Sequence, residues 1–511
     1  MYSNPVIRGF HPDPSVCRVG DDYYLATSSF EYFPGIPIFH SRNLVHWRQL
    51  GHVLTRESQL PLARKNDYPS SLGIYAPTLR HHNGRFYVVT TNVTSGENFY
   101  VWAERPEGPW SEPVVIEGWG GIDPDLFFDD DGTVYLTGTS QYRTEPEGIY
   151  QAELDIATGK LRSERRLVWT GTGGSSPEGP HLYKIGGWYY LMIAEGGTEY
   201  GHMETIARSR APQGPFEPNP HNPILSNRST DKPIQATGHA DLVQAPDGRW
   251  WAVLLGIRPV GYPRRHHLGR ETMLAPVAWT EEGWPVVGTE GRIEVDNDDG
   301  TLPPGQPEPR LERDSFDGPS LAPEWNFYRN PAPGSWSLSE RSGWLTLYGQ
   351  ACSLNDYGSP AFVGRRQQHF DCEVETRMRF VPEAEGEEAG LTVFMNEGFH
   401  YEIAKTRREG KPLLLFRRRI GSLAKTEAEI GFEEPEVVLG VEAKDVGYSF
   451  YYRGSDGEKR TIGSGESAML ATETAGGFTG VYFALYATGN GRACAAPARF
   501  DYFQYVPSER I

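Results

Sequence analysis

Three carboxylates and one histidine in this 511-residue sequence stand where they could do chemistry together. Asp13, Asp123, Glu178 and His239 each lie at the start of a short strand-like run. Carboxylates that are gathered at one site raise each other's pKa, and a fold has little structural reason to gather them. Such a set suits hydrolysis of a glycosidic bond, in which one acid protonates the leaving oxygen and another activates water or attacks carbon.

Asp13 lies between two prolines, in Pro12-Asp13-Pro14. Each proline fixes its own φ near about −65° and favours extended geometry in the residue before it. We therefore expect a stiff, extended backbone at Asp13 and a carboxylate that points in a fixed direction. Taken by itself, the same stretch is also typical of an Asx turn, in which Asp13 would have no chemical role.

Five similar units would position these residues. Each unit has a short strand, a glycine-containing turn and an aromatic-rich strand, which is typical of a β-hairpin. Further strand-like runs follow each hairpin, and the repeat of roughly 50–60 residues fits a four-stranded blade. The pattern predicts a five-bladed β-propeller over residues 1–297, although unrelated hairpins in a β-sandwich would give similar local signals. The five first strands start at Asp13, Ala76, Asp123, Gly179 and His239.

The first strand of every propeller blade lines the central channel, so the starts of these strands are expected to converge on one funnel. Asp13, Asp123 and His239 occupy such positions, and Tyr75 and Glu178 each directly precede one. The separation of the two working carboxylates decides the stereochemistry: roughly 6.5–9.5 Å gives inversion and roughly 5–5.5 Å gives retention. The sequence alone leaves both outcomes open.

The second half of the chain has a different organisation. A Pro-, Gly- and Asp-rich stretch over residues 298–312 cannot join a strand ladder and is interpreted as a linker. Alternating strands without the blade repeat follow over residues 313–511, which predicts a β-sandwich. The predicted fold class is therefore all-β, a five-bladed β-propeller followed by a β-sandwich.

Composition restricts the partners of the protein. The net charge of −18 argues against a nucleic acid or an anionic membrane surface as a partner. Aromatic residues make up 12% of the chain, and their rings can stack on the C–H faces of sugars. The four cysteines show no metal-ligand spacing, and the N-terminus shows no leader-like pattern. We therefore expect free thiols and a cytoplasmic location.

Three motifs stand out: Gly9-Phe10-His11-Pro12-Asp13-Pro14-Ser15, Gly121-Ile122-Asp123-Pro124-Asp125 and Pro177-Glu178-Gly179-Pro180-His181. They resemble motifs of glycoside hydrolase family 43, and the similarity runs over nearly the whole chain. It is closest to the two-domain β-xylosidase/α-L-arabinofuranosidase branch. The resemblance implies an inverting, exo-acting enzyme that releases terminal α-L-arabinofuranosyl or β-D-xylosyl residues from hemicellulose oligosaccharides. It also implies that Asp13 is the general base, Glu178 the general acid and Asp123 a carboxylate that tunes and orients the acid.

The same resemblance implies further site residues. Arg270 corresponds to a substrate-side arginine, Phe30 to a subsite aromatic, and Phe478 to a sandwich residue that reaches back to close the pocket. His239 corresponds to a substrate-side histidine that touches a hydrated calcium ion, so a structural Ca²⁺ is expected in the channel, with no cofactor required for the chemistry. Tyr75 stands where relatives often carry tryptophan, which leaves the preferred pentose open. Core packing and salt bridges are the ordinary alternatives for these side chains.

Two other functions remain as alternatives. A retaining fructosidase of the invertase type shares the predicted architecture, but its Asn-Asp-Pro-Asn, Arg-Asp-Pro and Glu-Cys motifs are missing at the required places. A non-catalytic sugar-binding propeller would not need three converging carboxylates. We expect a small oligosaccharide substrate, no nucleic-acid or membrane partner, and assembly that could extend to a homo-oligomer.

Overall fold

The computed structural model describes residues 1–62, 70–141, 144–298, 300, 302–306, 312–444 and 446–508. Regular structure in these ranges is almost entirely β. The helices found there are a 3₁₀ turn at Ser467–Leu470 and a single α-helical turn at Thr472–Ala475. None of the helices described is long and apolar enough to span a membrane. The expectation of an all-β chain is confirmed.

Five antiparallel sheets form the blades of a propeller, and within each sheet the strands follow one another outwards in chain order. Blade 1 contains Ser15–Val19, Asp22–Ala26, Gly35–Ser41 and Arg48–Leu54. Blade 2 contains Thr78–His82, Arg85–Asn92, Glu97–Ala103 and Val114–Val115. Blade 3 contains Asp125–Phe128, Val134–Thr139 and Ile149–Asp155, the last of which pairs with both Lys160–Leu161 and Arg166–Trp169. Blade 4 contains Glu178–Ile185, Trp188–Glu195, Met203–Ser209 and Glu217–Pro218. Blade 5 contains Gln235–Gln244, Trp250–Ile257, Glu271–Trp279 and Pro285–Val287.

The innermost strands close the five blades into a ring. Each contacts the innermost strand of the next blade, and that of blade 5 returns to that of blade 1. The ends of the propeller are also joined, because strand Tyr2–Ser3 pairs antiparallel with strand Asp296–Asn297. Asn4 strengthens this closure by exchanging hydrogen bonds between its side-chain amide and the backbone of Leu274. The predicted five-bladed propeller is confirmed.

A two-sheet sandwich follows the propeller. The predicted linker over residues 298–312 lies partly outside the described residues, at 299, 301 and 307–311, and its described positions contain no strand. One sheet of the sandwich contains Arg313–Asp314, Trp336–Ser337, Leu345–Tyr348, Cys372–Arg379, Glu436–Lys444, Gly447–Arg453, Arg460–Glu466 and Pro497–Pro507. The other, the six-stranded sheet, contains Ala361–Arg366, Glu388–Asn396, Phe399–Arg408, Lys411–Ile420, Leu423–Gly431 and Tyr482–Thr488.

The six-stranded sheet is covered on both faces, which attaches the sandwich to the propeller. One face packs into the sandwich core, and the other packs its aromatic residues against Phe10, Phe30 and Tyr32 of the propeller. Tyr32 and Tyr482 stack with ring centroids 3.9 Å apart and planes 10° from parallel. A short strand, Tyr32–Phe33, also pairs with Phe327–Tyr328 at the start of the second domain. Both domains therefore contribute to the propeller mouth at which the site residues lie.

Candidate active site

Four equivalent positions at the channel mouth share an unusual backbone conformation. Asp13, Asp123, Gly179 and His239 have φ values of +54°, +54°, +56° and +51°. This left-handed region costs a non-glycine residue about 1–3 kcal/mol, so surrounding contacts must impose it. The shared conformation at four blades confirms the register of the repeats. Ala76, the equivalent residue of blade 2, does not have a positive φ.

The expected extended backbone of Asp13 is wrong, because contacts of the two residues before it override the preference that Pro14 imposes. The His11 N–H donates to the Arg270 carbonyl at 3.0 Å, and the Ser28 N–H donates to the Pro12 carbonyl at 3.2 Å. These bonds tie the chain before Asp13 to blade 5 and to a neighbouring loop of blade 1. The left-handed turn at Asp13 is then what directs its carboxylate into the channel mouth.

The Asp13 carboxylate is buried, and each of its two oxygens accepts a hydrogen bond. Arg270 Nη1 donates to its Oδ1 at 2.6 Å, Ser28 Oγ donates to its Oδ2 at 2.5 Å, and His239 Nδ1 lies 3.9 Å from Oδ1. Burial by itself acts to raise the pKa of Asp13, but the Arg270 charge, His239 and the Ser28 hydrogen bond together lower it below its usual value. Asp13 is therefore ionised at neutral pH.

Asp123 and Glu178 have the opposite electrostatic setting. Burial and then the Asp13 charge raise the pKa of Asp123, although the Gly179 N–H donates to its Oδ2 at 3.1 Å. Burial, Asp123 and Asp13 raise the pKa of Glu178. The two groups interact strongly enough to titrate as a pair, and the pair retains a proton near neutral pH. Glu178 begins its strand, and the residue is partly exposed to solvent.

His239 is a neutral imidazole packed into the channel. Burial lowers its pKa to about 4, with Asp13 opposing that effect. Its ring lies so close to Gly179 that a Cβ there would come within 3.0 Å of the ring, which with the positive φ explains the glycine. His202 packs beside Gly238 in the same way, and burial lowers its pKa to about 3. Neither histidine carries charge at neutral pH.

The predicted sugar-binding side chains meet at one place. Phe30, Tyr75 and Phe478 form a triangle with ring centroids 5.1–6.1 Å apart. The Arg270 guanidinium lies 5.6 Å from the Phe30 ring and 5.8 Å from the Phe478 ring. Phe30 is only 2% exposed and forms the base of this cluster, whereas Phe478 is 40% exposed. The Phe478 N–H donates to Ser71 Oγ at 2.8 Å, so a sandwich residue is held at the propeller mouth.

Reasoning from the sequence missed two features, Ser28 and a set of side chains one layer below the site. Arg80 donates to Asp241 Oδ2 at 2.7 Å, to Asp125 Oδ1 at 2.8 Å and to His181 Nδ1 at 2.9 Å. These acceptors follow the left-handed positions by two residues, and a strand repeats its side-chain direction every two residues. The motif spacing thus held a signal for this channel hub, defined as Arg80, Ser15, Asp125, His181 and Asp241.

The channel side chains fit a metal ion poorly. Within the described ranges, no group of three or more His, Cys, Asp or Glu side chains could hold one. The Arg80 guanidinium already forms ion pairs with both Asp125 and Asp241, and it occupies the space between them. The channel calcium that was expected beside His239 stays a prediction, and no catalytic step is derived through it.

Comparison with known families identifies both domains. The model of the glycosyl hydrolases family 43 matches residues 2–285. The model of the β-xylosidase C-terminal concanavalin A-like domain matches residues 313–506. Together these two matches account for most of the propeller and the sandwich.

Similar proteins align over almost the full length. The chain is 45% identical over 509 residues to a non-reducing end α-L-arabinofuranosidase of Bacteroides ovatus, covering 99% of this chain and 94% of that protein. It is 37% identical to a xylosidase/arabinosidase of Butyrivibrio fibrisolvens, covering 98% and 99%. The solved structure described as Bacteroides ovatus Xyloglucan PUL GH43B superposes with a TM-score of 0.93 at 45% identity, covering 99% of both chains. The xylan β-1,4-xylosidase of Bacillus halodurans superposes with a TM-score of 0.93 at 36% identity, covering 99% and 100%.

Proposed function

Because the chain belongs to glycosyl hydrolase family 43 and is therefore a glycoside hydrolase, we propose that it removes terminal α-L-arabinofuranosyl residues from the non-reducing ends of hemicellulose oligosaccharides. One observation carries the proposal. An ionised Asp13 lies near a pair of carboxyls, Asp123 and Glu178, that retains a proton. A base and an acid at one mouth are what glycoside hydrolysis requires.

The proposed mechanism is inverting. Asp13 accepts a proton from a water molecule while the oxygen of that water forms a bond to the anomeric carbon. Glu178 donates its proton to the glycosidic oxygen as the bond from that oxygen to the anomeric carbon breaks. The water enters opposite the leaving group, so the configuration inverts, and proton exchange with solvent restores both carboxyls. Asp123 assists by raising the pKa of Glu178.

The terminal sugar is proposed to bind against Arg270 and the aromatic triangle. Arg270 Nε is buried and finds no hydrogen-bond acceptor among the described residues, so a sugar hydroxyl would satisfy it. Phe30, Tyr75 and Phe478 offer ring surface for the C–H face of the sugar. The neutral His239 is proposed to complete the polar side of the pocket. Closure by Phe478 from the second domain supports exo action, because it limits the site to a chain end.

A second candidate is release of β-D-xylosyl residues by the same site. Relatives named xylosidase/arabinosidase are 37–38% identical to the chain, so both sugars are represented among similar proteins. A few contacts at Phe30, Tyr75 and Arg270 would separate the two pentoses, a difference worth about 1–3 kcal/mol. We place arabinofuranose first because the 45% identical relative carries that activity in its name.

The test compares aryl α-L-arabinofuranoside with aryl β-D-xylopyranoside as substrates. We expect the higher kcat/KM on the arabinofuranoside, and loss of nearly all activity on both in Asp13→Ala and Glu178→Ala. A near wild-type rate in either variant would show that the replaced residue has no catalytic role. NMR of the product released first should show the inverted anomer, and a retained anomer would rule out Asp13 as general base.

We further propose that catalysis requires no cofactor. The poor fit of the channel side chains to a metal supports this. Activity and Tm should be unchanged after dialysis against EDTA, with added Ca²⁺ as the matched control. A loss that Ca²⁺ restores would instead establish the channel calcium.

A cytoplasmic location is also proposed. The four cysteines, Cys17, Cys352, Cys372 and Cys494, form no disulfide in the described chain, which suits a reducing compartment. Cell fractionation tests this location. Assembly into a homo-oligomer stays a prediction, which light scattering on the purified protein would check.

A further inference from the structure

Ser71 forms hydrogen bonds with two of the three residues of the aromatic triangle. Its Oγ accepts the Phe478 N–H at 2.8 Å, and its carbonyl oxygen accepts the Tyr75 hydroxyl at 3.1 Å. Ser71 lies in the chain segment before blade 2 and is only 3% exposed. One buried serine therefore ties a propeller ring and the sandwich ring to the same point.

The third ring, that of Phe30, is held beside the same point by the backbone and by Glu31. Glu31 directly follows Phe30, and the Ser71 N–H donates to both of its carboxylate oxygens at 3.0 Å. The Phe30 N–H donates to the Ile74 carbonyl at 2.9 Å, and the Ile74 N–H donates to the Phe30 carbonyl at 3.1 Å. All three rings therefore depend on contacts of one short segment that begins at Ser71.

Glu31 is a buried carboxyl that the proposed mechanism does not use. Burial raises its pKa to about 7, with the Ser71 N–H and the Arg329 charge opposing that effect. The Tyr328 hydroxyl donates to its Oε1 at 3.3 Å, and the Arg329 N–H donates to its backbone carbonyl at 2.9 Å. Tyr328 and Arg329 lie near the start of the second domain. Both domains therefore fix the carboxyl that accepts the Ser71 N–H.

Ser71 adopts a backbone conformation that serine rarely takes. Its φ is +67°, and Phe30 is also left-handed, with a φ of +49°. Non-glycine residues occupy this region where surrounding contacts impose it, and such positions cluster at functional sites. On the sandwich side, Gly477 approaches so closely that a Cβ there would lie 2.5 Å from Ser71 Oγ. The contact between Ser71 and the loop that carries Phe478 thus leaves no room for an added side chain.

We propose that Ser71 is a positioning residue of the terminal-sugar pocket, which fixes Phe478 of the sandwich against the two propeller rings. The inference rests on the proposed function, because it assumes that the aromatic triangle binds the terminal pentose. The Phe478 ring centroid lies 6.0 Å from that of Phe30 and 6.1 Å from that of Tyr75. Without Ser71 Oγ, the Phe478 N–H loses its acceptor, and the ring is no longer held at these distances.

The test is a double-mutant cycle on an aryl α-L-arabinofuranoside, with KM and kcat measured separately. Ser71→Ala should raise KM about threefold to tenfold and leave kcat near that of the wild type, because it removes one hydrogen bond and no reacting group. In the Phe478→Ala background the same change should have almost no further effect, because no ring is left to position.

Two further variants separate positioning from folding. Ser71→Gly should raise KM in the same way, although glycine suits the positive φ and relieves its strain. Ser163→Ala is the matched control, because Ser163 Oγ accepts the Glu153 N–H at 2.9 Å in blade 3, far along the chain from the triangle. Its KM should equal that of the wild type.

Two outcomes would overturn the inference. Effects of Ser71→Ala and Phe478→Ala that multiply in the double variant would mean that Ser71 acts independently of the Phe478 ring. An unchanged KM in both Ser71 variants would mean that the ring needs no tether. If the wild-type protein hydrolysed neither pentoside, the proposed function would fail instead. Hydrogen exchange would then decide the tether separately: faster exchange of the Phe478 N–H in Ser71→Ala, but not in Ser163→Ala, supports it, and unchanged exchange rejects it.

Discussion

One guanidinium and one hydroxyl set the charge of the proposed base. Asp13 is buried deeply enough that burial alone would favour its neutral form, yet Arg270 and Ser28 each donate to one of its oxygens. On the acid side, burial, Asp123 and Asp13 raise the pKa of Glu178, and the opposing effect of Arg270 is smaller. Opposite environments thus push the pKa values of the carboxyls apart, which is how a single site holds both an acid and a base.

Replacing Ser28 with alanine should move the acidic limb of the pH profile of kcat/KM to higher pH. The hydrogen bond from Ser28 lowers the pKa of Asp13, so its loss raises that pKa, and the base becomes protonated at a higher pH than before. A shift of about half to one pH unit is expected from the usual worth of a hydrogen bond. The alkaline limb, which reports Glu178, serves as the internal control. An acidic limb that stays in place or moves to lower pH would contradict the role of Ser28.

Replacing Asp123 with asparagine should move the alkaline limb to lower pH. The charge of Asp123 raises the pKa of Glu178, so its removal lets Glu178 lose its proton at a lower pH. The general acid is then deprotonated over more of the neutral range, and kcat at neutral pH falls. The measurement is the full pH–rate profile of both proteins. If the alkaline limb did not move, the two carboxyls would have to act independently.

At the scale of elements, each inner strand presents two sets of side chains, one at its start and one two residues further along. The left-handed positions at the strand starts present the site residues, and the channel hub lies two residues further along each strand. Arg80 of blade 2 contacts Ser15 of blade 1, Asp125 of blade 3, His181 of blade 4 and Asp241 of blade 5. A single guanidinium therefore joins all five blades directly beneath the site.

Replacing Arg80 with methionine should lower the free energy of unfolding by about 3–5 kcal/mol, since it leaves buried carboxylates without their cation. Asp125 and Asp241 are both completely buried. The matched control is Arg18→Met on the inner strand of blade 1, where the exposed guanidinium donates to the Gly20 carbonyl. That change should cost less than about 1 kcal/mol. Urea unfolding measures both, and equal costs would show that the hub does not hold the blades together.

The sequence predicted the inner-strand register because turns and aromatic strands repeat locally. It did not predict the conformation of Asp13, because the bonds that impose it come from Arg270 and Ser28, far from the Pro-Asp-Pro stretch. The sequence did not predict the channel hub for the same reason: Arg80 and Asp241 are 161 residues apart and meet only when the ring closes. Long-range partners leave no local pattern, even where the positions themselves are regularly spaced.

At the scale of the whole molecule, the second domain completes the site. The six-stranded sheet packs its second face against Phe10, Phe30 and Tyr32, and Arg366 Nε donates to the Phe10 carbonyl at 2.7 Å. This attachment fixes the loop that carries Phe478 at the mouth of the propeller. The family resemblance pointed to Phe478, whereas the cavity lined by Tyr200 of the propeller and Glu473 of the sandwich arises from the docking of the two domains and had no signature in either half of the sequence.

Replacing Phe478 with alanine should lower kcat/KM about tenfold or more while changing Tm by less than about 2 °C. The ring is 40% exposed, so its removal costs little burial, but the aromatic triangle loses one side. Tyr357→Ala is the matched control, because Tyr357 is a 42% exposed aromatic on the same domain. A parallel drop in Tm would mean that Phe478 acts through domain attachment and not through the substrate.

The pairing of Tyr2–Ser3 with Asp296–Asn297 also means that the propeller can close only after residue 297 has been synthesised. The proposed base emerges from the ribosome among the first residues, but the arginine that keeps it ionised follows 257 residues later. The partner of the N-terminal strand is synthesised almost three hundred residues later, and closing a loop of that length makes folding slow. Phe478 emerges later still. We therefore expect the nascent chain to become active only after both domains have been made and joined.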